Sequence, residues 1–425
     1  MMGSMTRRLC LIALCLAFAT TVEARPRPRP AKVQNSIRGA SQMAVAPWGL
    51  TAQGHGMLRI LPLGKKTWQI VHRVKGDSLY RHAHDDRGRL LAWWEKEPYF
   101  HLFDPATKSD TTFALPPAPG PEFKYGFRVE DLFFAPNGDG AIVYMHGFLG
   151  GRTWEVVAYH YDLAGGAPTL LFRQEGHPLH TTARETVRAV PKRKDDMCEH
   201  TACDPLGAII AWEIDGRKAT RRVLLDGSQR KEAFTRVRPV WDRGSGDRVA
   251  VLLDERPGRR HLLRWTWGDA RATTTVLLAG PTSATDVESM WLTDGGDVIE
   301  LWLTAARGLE IRRIPPAGAT TVTTLAPHPK RTPRDHPLFG VSDVNERANG
   351  DLLVHWGEYL VAVTPGGAAR HLDLRSVFNR KSEFAGRLLH VRSPEGTWVA
   401  LDRGGTLDFA FLPQADLDAR MTPAP

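Results

Sequence analysis

Acidic, basic and aromatic side chains recur at one place in a repeated sequence pattern, seven residues before a turn glycine or next to that position. The residues at these places are Tyr80, Arg81, Glu130, Asp131, Arg238, Glu288, Asp343 and Arg387. If they converge, they can bind a charged ligand, or two carboxylates can act as acid and base on a glycan. They can also hydrate a channel and pair with one another. We interpret the set as a candidate ligand-binding site and assign no catalytic residue.

Two histidines stand two residues apart just before the first of these turn glycines. His82 and His84 would project from the same face of a strand, and Asp85 and Asp86 follow them. Imidazole and carboxylate are metal ligands, but a pair is short of the ligands that a zinc site requires. We therefore treat both histidines as candidate ligand contacts in a polar channel, and predict no metal and no cofactor.

Signatures of common enzyme classes are missing from the sequence. It contains no Gly-x-Ser-x-Gly elbow and no His-Glu-x-x-His helix. The Gly-Lys-Lys-Thr segment at 64–67 lacks the glycine spacing that cradles a phosphate. These absences argue against a hydrolase of the usual kinds.

Short strands are the elements that would position the candidate residues. A turn glycine followed by a run of four or five apolar residues occurs seven times, and the first and last of these glycines, Gly88 and Gly396, are 308 residues apart. The mean interval of about 51 residues is close to the length of a four-stranded propeller blade. Runs such as Leu90 to Trp94 suit strands buried on both faces, and segments such as Thr274 to Leu278 suit outer edge strands.

The repeats predict an all-β chain in which residues 46–415 form a single seven-bladed β-propeller of four-stranded antiparallel blades. The last repeat supplies only three strands. We assign Thr67 to Arg73 as the fourth strand, which would close the ring. The alternative is a ring of eight blades, in which Leu50 to Val74 forms a small blade of its own.

Three turn segments carry a resemblance to a known family. They are Phe134-Ala135-Pro136-Asn137-Gly138, Asn349-Gly350-Asp351-Leu352 and Ser393-Pro394-Glu395-Gly396. Each resembles the Ser-Pro-Asp-Gly turn of TolB-like propeller repeats, which also occur in the non-catalytic domains of prolyl oligopeptidase relatives. The resemblance implies a propeller used for binding or scaffolding, and it transfers no functional residue.

The two ends of the chain are predicted to lie outside the propeller. Residues 1–24 have the features of a signal peptide, with Arg7 and Arg8 before the apolar stretch Leu9 to Ala19. Residues 25–45 begin with alternating Arg and Pro and predict a basic, disordered tail. Residues 416–425 are predicted to be a flexible tail. The chain is therefore expected to be exported to the periplasm or the extracellular space.

Cys198 and Cys203 are the cysteines that remain after residues 1–24. In an oxidising compartment we expect a disulfide between them, pinning an enlarged hairpin loop. A metal site that also uses His200 is the alternative, but it lacks an adjacent fourth ligand.

Composition and motifs together favour a binding protein. The formal net charge is +9, and no stretch beyond residues 1–24 approaches the length of a transmembrane segment. We predict an exported, non-enzymatic, monomeric scaffold that binds a protein or an anionic envelope polymer and no nucleic acid. The alternative is a propeller-fold glycan hydrolase or lyase that uses carboxylates in the central funnel.

Overall fold

The computed structural model describes most of the chain from residue 35 onward. The described residues are 35–38, 42–46, 49–54, 57–62, 65, 67–73, 79–95, 97–118, 120, 127–149, 153–192, 198–199, 202–203, 206–227, 234–239, 241–242, 248–255, 259–277, 284–293, 295–304, 308–325, 341–347, 349–356, 359–377, 388–393, 396–402 and 406–423.

The described residues form eight sheets of four or five strands, which we number in chain order. Sheet 1 contains Gln42–Ala46, Gly49–Gly54, Met57–Pro62 and Gln69–Arg73. Sheet 2 contains Leu79–His84, Leu90–Trp94, Tyr99–Asp104 and Ser109–Ala114. Sheet 3 contains Arg128–Phe134, Gly140–Leu149, Thr153–Asp162 and Thr169–Glu175. Sheet 4 contains His177–Thr181, Glu185–Pro191, Leu206–Asp215 and Lys218–Asp226.

Sheets 5, 6 and 7 repeat this order, two of them with a fifth strand from elsewhere in the chain, whereas sheet 8 has three consecutive strands and takes its fourth from the start of the chain. Sheet 5 contains Phe234–Pro239, Arg248–Glu255, Arg259–Thr266 and Thr273–Leu277. Sheet 6 contains Ala284–Leu292, Val298–Thr304, Leu309–Ile314 and Thr321–Leu325, with Trp241–Asp242 beside its first strand. Sheet 7 contains Val341–Glu346, Leu352–Trp356, Tyr359–Val363 and Ala369–Asp373, with Thr422–Pro423 outside. Sheet 8 contains Leu388–Ser393, Gly396–Asp402 and Thr406–Pro413, with Asn35–Arg38 outside.

Burial within a sheet follows the sequence pattern. The second strands Leu90–Trp94 and Leu352–Trp356 are buried at every position. The fourth strand Thr273–Leu277 is exposed at four of its five positions. Apolar runs thus form central strands, and Thr-rich runs form outer strands facing water.

The hydrophobic core lies between neighbouring sheets. One cluster joins Leu91 and Phe100 of sheet 2 to Leu132 and Val143 of sheet 3, and similar clusters lie between the other consecutive sheets from 1 to 8. The first strand of sheet 8 contacts the first strands of both sheet 7 and sheet 1. The sheets therefore form a closed β-propeller with their first strands innermost.

The strand pairing corrects the predicted closure of the ring. Gln69–Arg73 pairs with Met57–Pro62 in sheet 1, since a nearby partner costs less loop-closure entropy than a distant one. The outer strand of sheet 8 is instead Asn35–Arg38, which pairs with Thr406–Pro413. The predicted count of seven blades is not confirmed, because eight such sheets occur in the described part of the chain, as in the alternative prediction.

The predicted tails are also partly ordered. Asn35–Arg38 and Gln42–Ala46 are strands within the segment 25–45, which was predicted to be disordered. At the other end, helix Gln414–Arg420 packs Leu417 into the core of sheets 7 and 8, and Thr422–Pro423 extends sheet 7. The other described helix, Leu374–Val377, has 4 residues, and none in the described ranges is long and apolar enough to span a bilayer.

Candidate functional site

A β-bulge occurs in the first strand of six of the sheets, and in sheets 2, 3, 6 and 7 it lies beside polar residues of the sequence pattern. The register shifts next to Tyr80 in sheet 2 and Glu130 in sheet 3, so that Arg81 lies opposite Trp93 and Asp131 opposite Tyr144. Sheets 4, 5, 6 and 7 show a shift in the same strand. A bulge re-aims the side chains beside it and is common next to functional sites. Counting seven residues back from the turn glycines therefore led to a structural feature that recurs from sheet to sheet.

Arg81 connects sheets 2 and 3 at the inner end of the blades. Its Nε donates to the backbone oxygen of Glu130 and lies 3.8 Å from Oδ1 of Asp131. The first strands that carry these residues pack against each other. The structure thus brings three of the predicted site residues together.

Glu130 is buried and held by two partners. Nη2 of Arg188, a side chain only 1% exposed, donates to both carboxylate oxygens at 3.0 and 2.9 Å. Nδ1 of His146 lies 3.5 Å from Oε2. Burial alone would raise the pKa of Glu130, but Arg188 and His146 outweigh burial and lower the pKa to about 2. Glu130 is therefore ionised at any physiological pH.

Asp131 has the opposite electrostatic environment. Desolvation in the channel wall raises its pKa to about 7, although Arg81 opposes the shift. Its side chain is 39% exposed, so the carboxyl remains accessible to solvent. We call Arg81, Glu130, Asp131, His146 and Arg188 the channel cluster. It combines a permanently ionised carboxylate with one that titrates near neutrality.

His82 and His84 lie in the same strand as Arg81 but do not join the channel cluster through any described contact. Nε2 of His82 is 3.4 Å from Oγ1 of Thr51 in sheet 1. Desolvation lowers the pKa of His82 to about 4, and His84 adds to the shift. Asp85 pairs with Arg89 at 2.7 Å. The two histidines thus face sheet 1 rather than sheet 3.

For the remaining predicted site residues, the structure describes at most the backbone. Tyr80, Arg238, Glu288 and Asp343 lie in first strands, but their side chains are outside the described residues, as is the whole of Arg387. Glu288 stands at the bulge itself, and Ser289 occupies the register position that corresponds to Asp131. Convergence of these residues on one funnel stays a prediction.

Arg188 and His146 were missed at the level of sequence. Arg188 sits in the second strand of sheet 4, in a run that is otherwise buried and largely apolar. A charged residue in such a strand is rarely buried without a partner, which is the signal that could have identified it. In the same sheet, His180 lies 3.3 Å from the fully buried Glu185.

Cys198 and Cys203 lie in a two-stranded hairpin between the second and third strands of sheet 4, as the enlarged loop predicted. They are register partners, and the strand Ala202–Cys203 contacts the first strand of sheet 5. Opposite residues in antiparallel strands have Cα atoms about 4.5 to 5.5 Å apart, within disulfide range. The disulfide itself stays a prediction. Titration of the denatured, unreduced chain without residues 1–24 should find no free thiol, and two reactive thiols would contradict the prediction.

One grouping of possible metal ligands occurs in the described part of the chain, away from the predicted residues. The ligand atoms of His72, His101 and Asp110, from sheets 1 and 2, all lie within 4.8 Å of one another. Spacing in the sequence gives no sign of this grouping, because His72 and His101 are in different repeats.

Comparisons with known proteins relate the chain to propellers only at the level of fold. No protein-family model matches it, and no curated protein matches it. Virginiamycin B lyase from Staphylococcus aureus has 14% identity, over 78% of this chain and 94% of that chain, with a TM-score of 0.37. A structure of YCF48 bound to D1 peptide has 12% identity, over 91% and 99% of the two chains, with a TM-score of 0.44. The WD40 domain of SCAP from fission yeast has 9% identity, over 88% and 92%, with a TM-score of 0.44. These are propeller or WD40-like folds, and likeness this distant carries no argument about activity or partner.

Proposed function

We propose that this chain is an exported, non-enzymatic β-propeller that binds a protein or an anionic envelope polymer at the inner end of its blades, through the channel cluster. The observation that carries the proposal is that the described carboxylates of the candidate site are paired with arginines. Glu130 meets Arg188 at 2.9 Å, and Asp131 meets Arg81 at 3.8 Å. Paired charges suit recognition and rigidity better than acid and base catalysis.

The arginines indicate that the ligand carries negative charge. Arg81 and Arg128, in the first strands of sheets 2 and 3, are 32% and 38% exposed and can meet a ligand. Arg128 also donates to His146 at 3.0 Å. When Asp131 is protonated, the positive charge of Arg81 is less compensated, and phosphate or carboxylate groups of a ligand can bind it. The formal net charge of +9 would attract an anionic ligand over a longer range. Export, predicted from residues 1–24, would place the protein beside anionic envelope polymers.

Cosedimentation with isolated cell envelope tests the proposal. We expect Arg81→Glu to reduce the bound fraction at least fivefold, since it reverses the charge that a ligand would meet. Thr275→Glu, on the exposed outer strand of sheet 5, is the matched control and should bind as the unmodified chain does. If Thr275→Glu abolishes binding and Arg81→Glu does not, the ring works through its outer strands and the proposal is wrong.

The glycan-active enzyme remains the second candidate, and the pKa of Asp131 is the observation that favours it. A carboxyl with a pKa of about 7 can serve as a general acid, and a neighbour at about 2 resembles the divergent carboxyl pairs of glycosidases. Against it, Glu130 is held by Arg188 and His146, so it is not available to attack a sugar. Release of reducing ends from envelope glycans, lost in Asp131→Asn, would establish the enzyme instead.

A further inference from the structure

A second polar cluster lies where sheets 1 and 2 pack together, in their outer strands. His72 is in the outermost strand of sheet 1, His101 is in the third strand of sheet 2, and Asp110 is in its fourth strand. Alternation along Tyr99–Asp104 places Tyr99, His101 and Phe103 on one face, toward His72. We call His72, Glu97, His101 and Asp110 the rim cluster.

The possible ligand atoms of His72, His101 and Asp110 lie within 4.8 Å of one another. Nδ1 of His101 is 2.9 Å from Oδ1 of Asp110, and Nδ1 of His72 is 3.7 Å from Oδ2 of the same carboxylate. Tetrahedral zinc with bonds of about 2.1 Å places its ligand atoms roughly 3.4 Å apart. The two observed distances lie on either side of this value but involve different oxygens of Asp110. Binding of zinc therefore requires side-chain rotations that bring both imidazoles to one carboxylate oxygen.

The outer contacts of His101 match those of a metal ligand. Its Nε2 is 3.1 Å from Oε2 of Glu97, and the hydroxyl of Tyr99 donates to Oε1 of Glu97 at 3.4 Å. The backbone oxygen of Glu97 accepts from Nε1 of Trp93 at 3.1 Å, which fixes the loop. Nδ1 of His101 is also hydrogen-bonded to Oδ1 of Asp110 at 2.9 Å. A metal ion that binds Nδ1 would take the place of the proton in that hydrogen bond, and Glu97 would then hold the proton on Nε2, as in carboxylate–histidine–zinc triads.

Aromatic rings close one side of the rim cluster and leave the other open. The His72 ring contacts Trp94 at 4.6 Å and Phe103 at 5.0 Å between centroids, while Asp110 is 39% exposed. Such surroundings shield the imidazoles from bulk water and give an ion a path to the carboxylate.

We propose that His72, His101 and Asp110 bind a divalent transition metal ion, Zn²⁺, with Glu97 as the outer partner of His101. A site with two imidazoles and one carboxylate favours Zn²⁺ over Mg²⁺ and Ca²⁺, because Mg²⁺ and Ca²⁺ are bound mainly by oxygen ligands. Three protein ligands leave a fourth position for water. The site is separate from the channel cluster and does not rest on the proposed function.

Protonation of the histidines sets the pH dependence of the site. An imidazole binds a metal ion only in its neutral form. The groups facing His72 are His101, Asp110 and Glu97. Because a metal displaces protons from imidazole, zinc affinity should fall as the pH is lowered from 7.5 to 5.5.

Isothermal titration of the full chain with Zn²⁺, and separately with Mg²⁺, tests the proposal. We expect one zinc site that is weakened at least tenfold in His72→Gln, His101→Gln and Asp110→Asn, and about 10- to 100-fold in Glu97→Gln, since outer partners change affinity by that factor. His371→Gln is the matched control, because His371 also lies in the fourth strand of a sheet against an aromatic ring, Tyr359 at 5.2 Å. Asp110→Asn alters a partly exposed side chain and keeps the test valid if a histidine variant fails to fold.

The rival interpretation is a metal-free triad in which protonated His101 bridges Glu97 and Asp110. It predicts no zinc binding, or zinc binding that all four variants leave unchanged. Either result overturns the proposal, as does binding of Mg²⁺ with equal affinity. The proposal is supported if the rim-cluster variants lose zinc affinity and His371→Gln retains it. A zinc-dependent rise in the melting temperature that Asp110→Asn removes also supports the proposal.

Discussion

The channel cluster and the rim cluster differ in what meets their carboxylates. In the channel cluster, Glu130 and Asp131 meet the guanidinium groups of Arg188 and Arg81, and Glu130 also lies 3.5 Å from the imidazole of His146. In the rim cluster, Glu97 and Asp110 meet the imidazoles of His72 and His101. A guanidinium has no lone pair and stays charged, whereas an imidazole can lose its proton and bind a metal. Two polar clusters on neighbouring sheets therefore suit different chemistry, charge recognition in one and metal binding in the other.

Burial makes the channel cluster the more sensitive of the two to loss of a partner. Arg188→Ala would leave Glu130 as an uncompensated buried carboxylate, and we expect the free energy of unfolding to fall by about 3 to 5 kcal/mol. Guanidinium chloride denaturation measures the change.

A solvent-exposed ion pair with the same N···O distance provides the control for that prediction. Arg217 and Asp162 are also 2.9 Å apart, but their side chains are 62% and 39% exposed. Arg217→Ala should therefore cost about 0 to 1 kcal/mol. Equal losses in the two variants would contradict the role assigned to burial.

A smaller effect on stability is expected from the protonation in acid of His82, which lies outside the channel cluster, and of His72 in the rim cluster. The pKa of His82 is lowered to about 4, from an ordinary value near 6.5. A lowered histidine pKa contributes stability above pH 6.5 that is lost as the pH falls toward 4, because the unfolded chain takes up the proton first. The stability curve of His82→Gln should be flatter between pH 6.5 and 4.

His72→Gln extends the acid comparison to the rim. The pKa of His72 is also lowered, so its replacement should flatten the same curve, measured in chelator so that metal plays no part. We expect the smaller change here, because carboxylates Asp110 and Glu97 oppose the shift at His72. A steeper curve in either variant would contradict the assigned direction of its pKa.

The smallest expected effect is that of Asp131→Asn. A raised pKa of about 7 means that the folded state holds the proton of Asp131 longer than the unfolded chain does. Its contribution is favourable at low pH and is lost as the pH rises through 7. At pH 8 the variant should be as stable as the unmodified chain or more stable by at most about 1 kcal/mol, because the pair with Arg81 is partly exposed. A larger loss at pH 8 would show that ionised Asp131 stabilises the fold.

Local patterns predicted the central strands well, and they also picked out a position that the structure places beside a bulge. Leu90 to Trp94 and Leu352 to Trp356 are central strands as expected, and counting from turn glycines reached Arg81 and Asp131 beside a bulge. These features depend on residues close in sequence, where hydrophobic periodicity and glycine turns are informative.

Features that depend on distant pairing escaped the sequence analysis. Asn35–Arg38 gives no sign of its partner at Thr406–Pro413, some 370 residues away, and the Arg-Pro segment before it suggests disorder. The second strand of the first sheet, Gly49–Gly54, begins at a glycine but has no run of four or five apolar residues, so only the alternative prediction counts this sheet as a blade. His72 and His101 meet because neighbouring sheets pack, and Arg188 reaches Glu130 for the same reason.

Envelope binding at two pH values is the most direct test of the proposed function. With Asp131 protonated, the charge of Arg81 is less compensated, so the unmodified chain should cosediment with isolated envelope more strongly at pH 6 than at pH 8. Asp131→Asn should remove the part of this difference that comes from the protein, because its side chain cannot ionise at either pH. If both chains show the same ratio of bound fraction at pH 6 to that at pH 8, the channel cluster does not bind the ligand, and the central claim is contradicted.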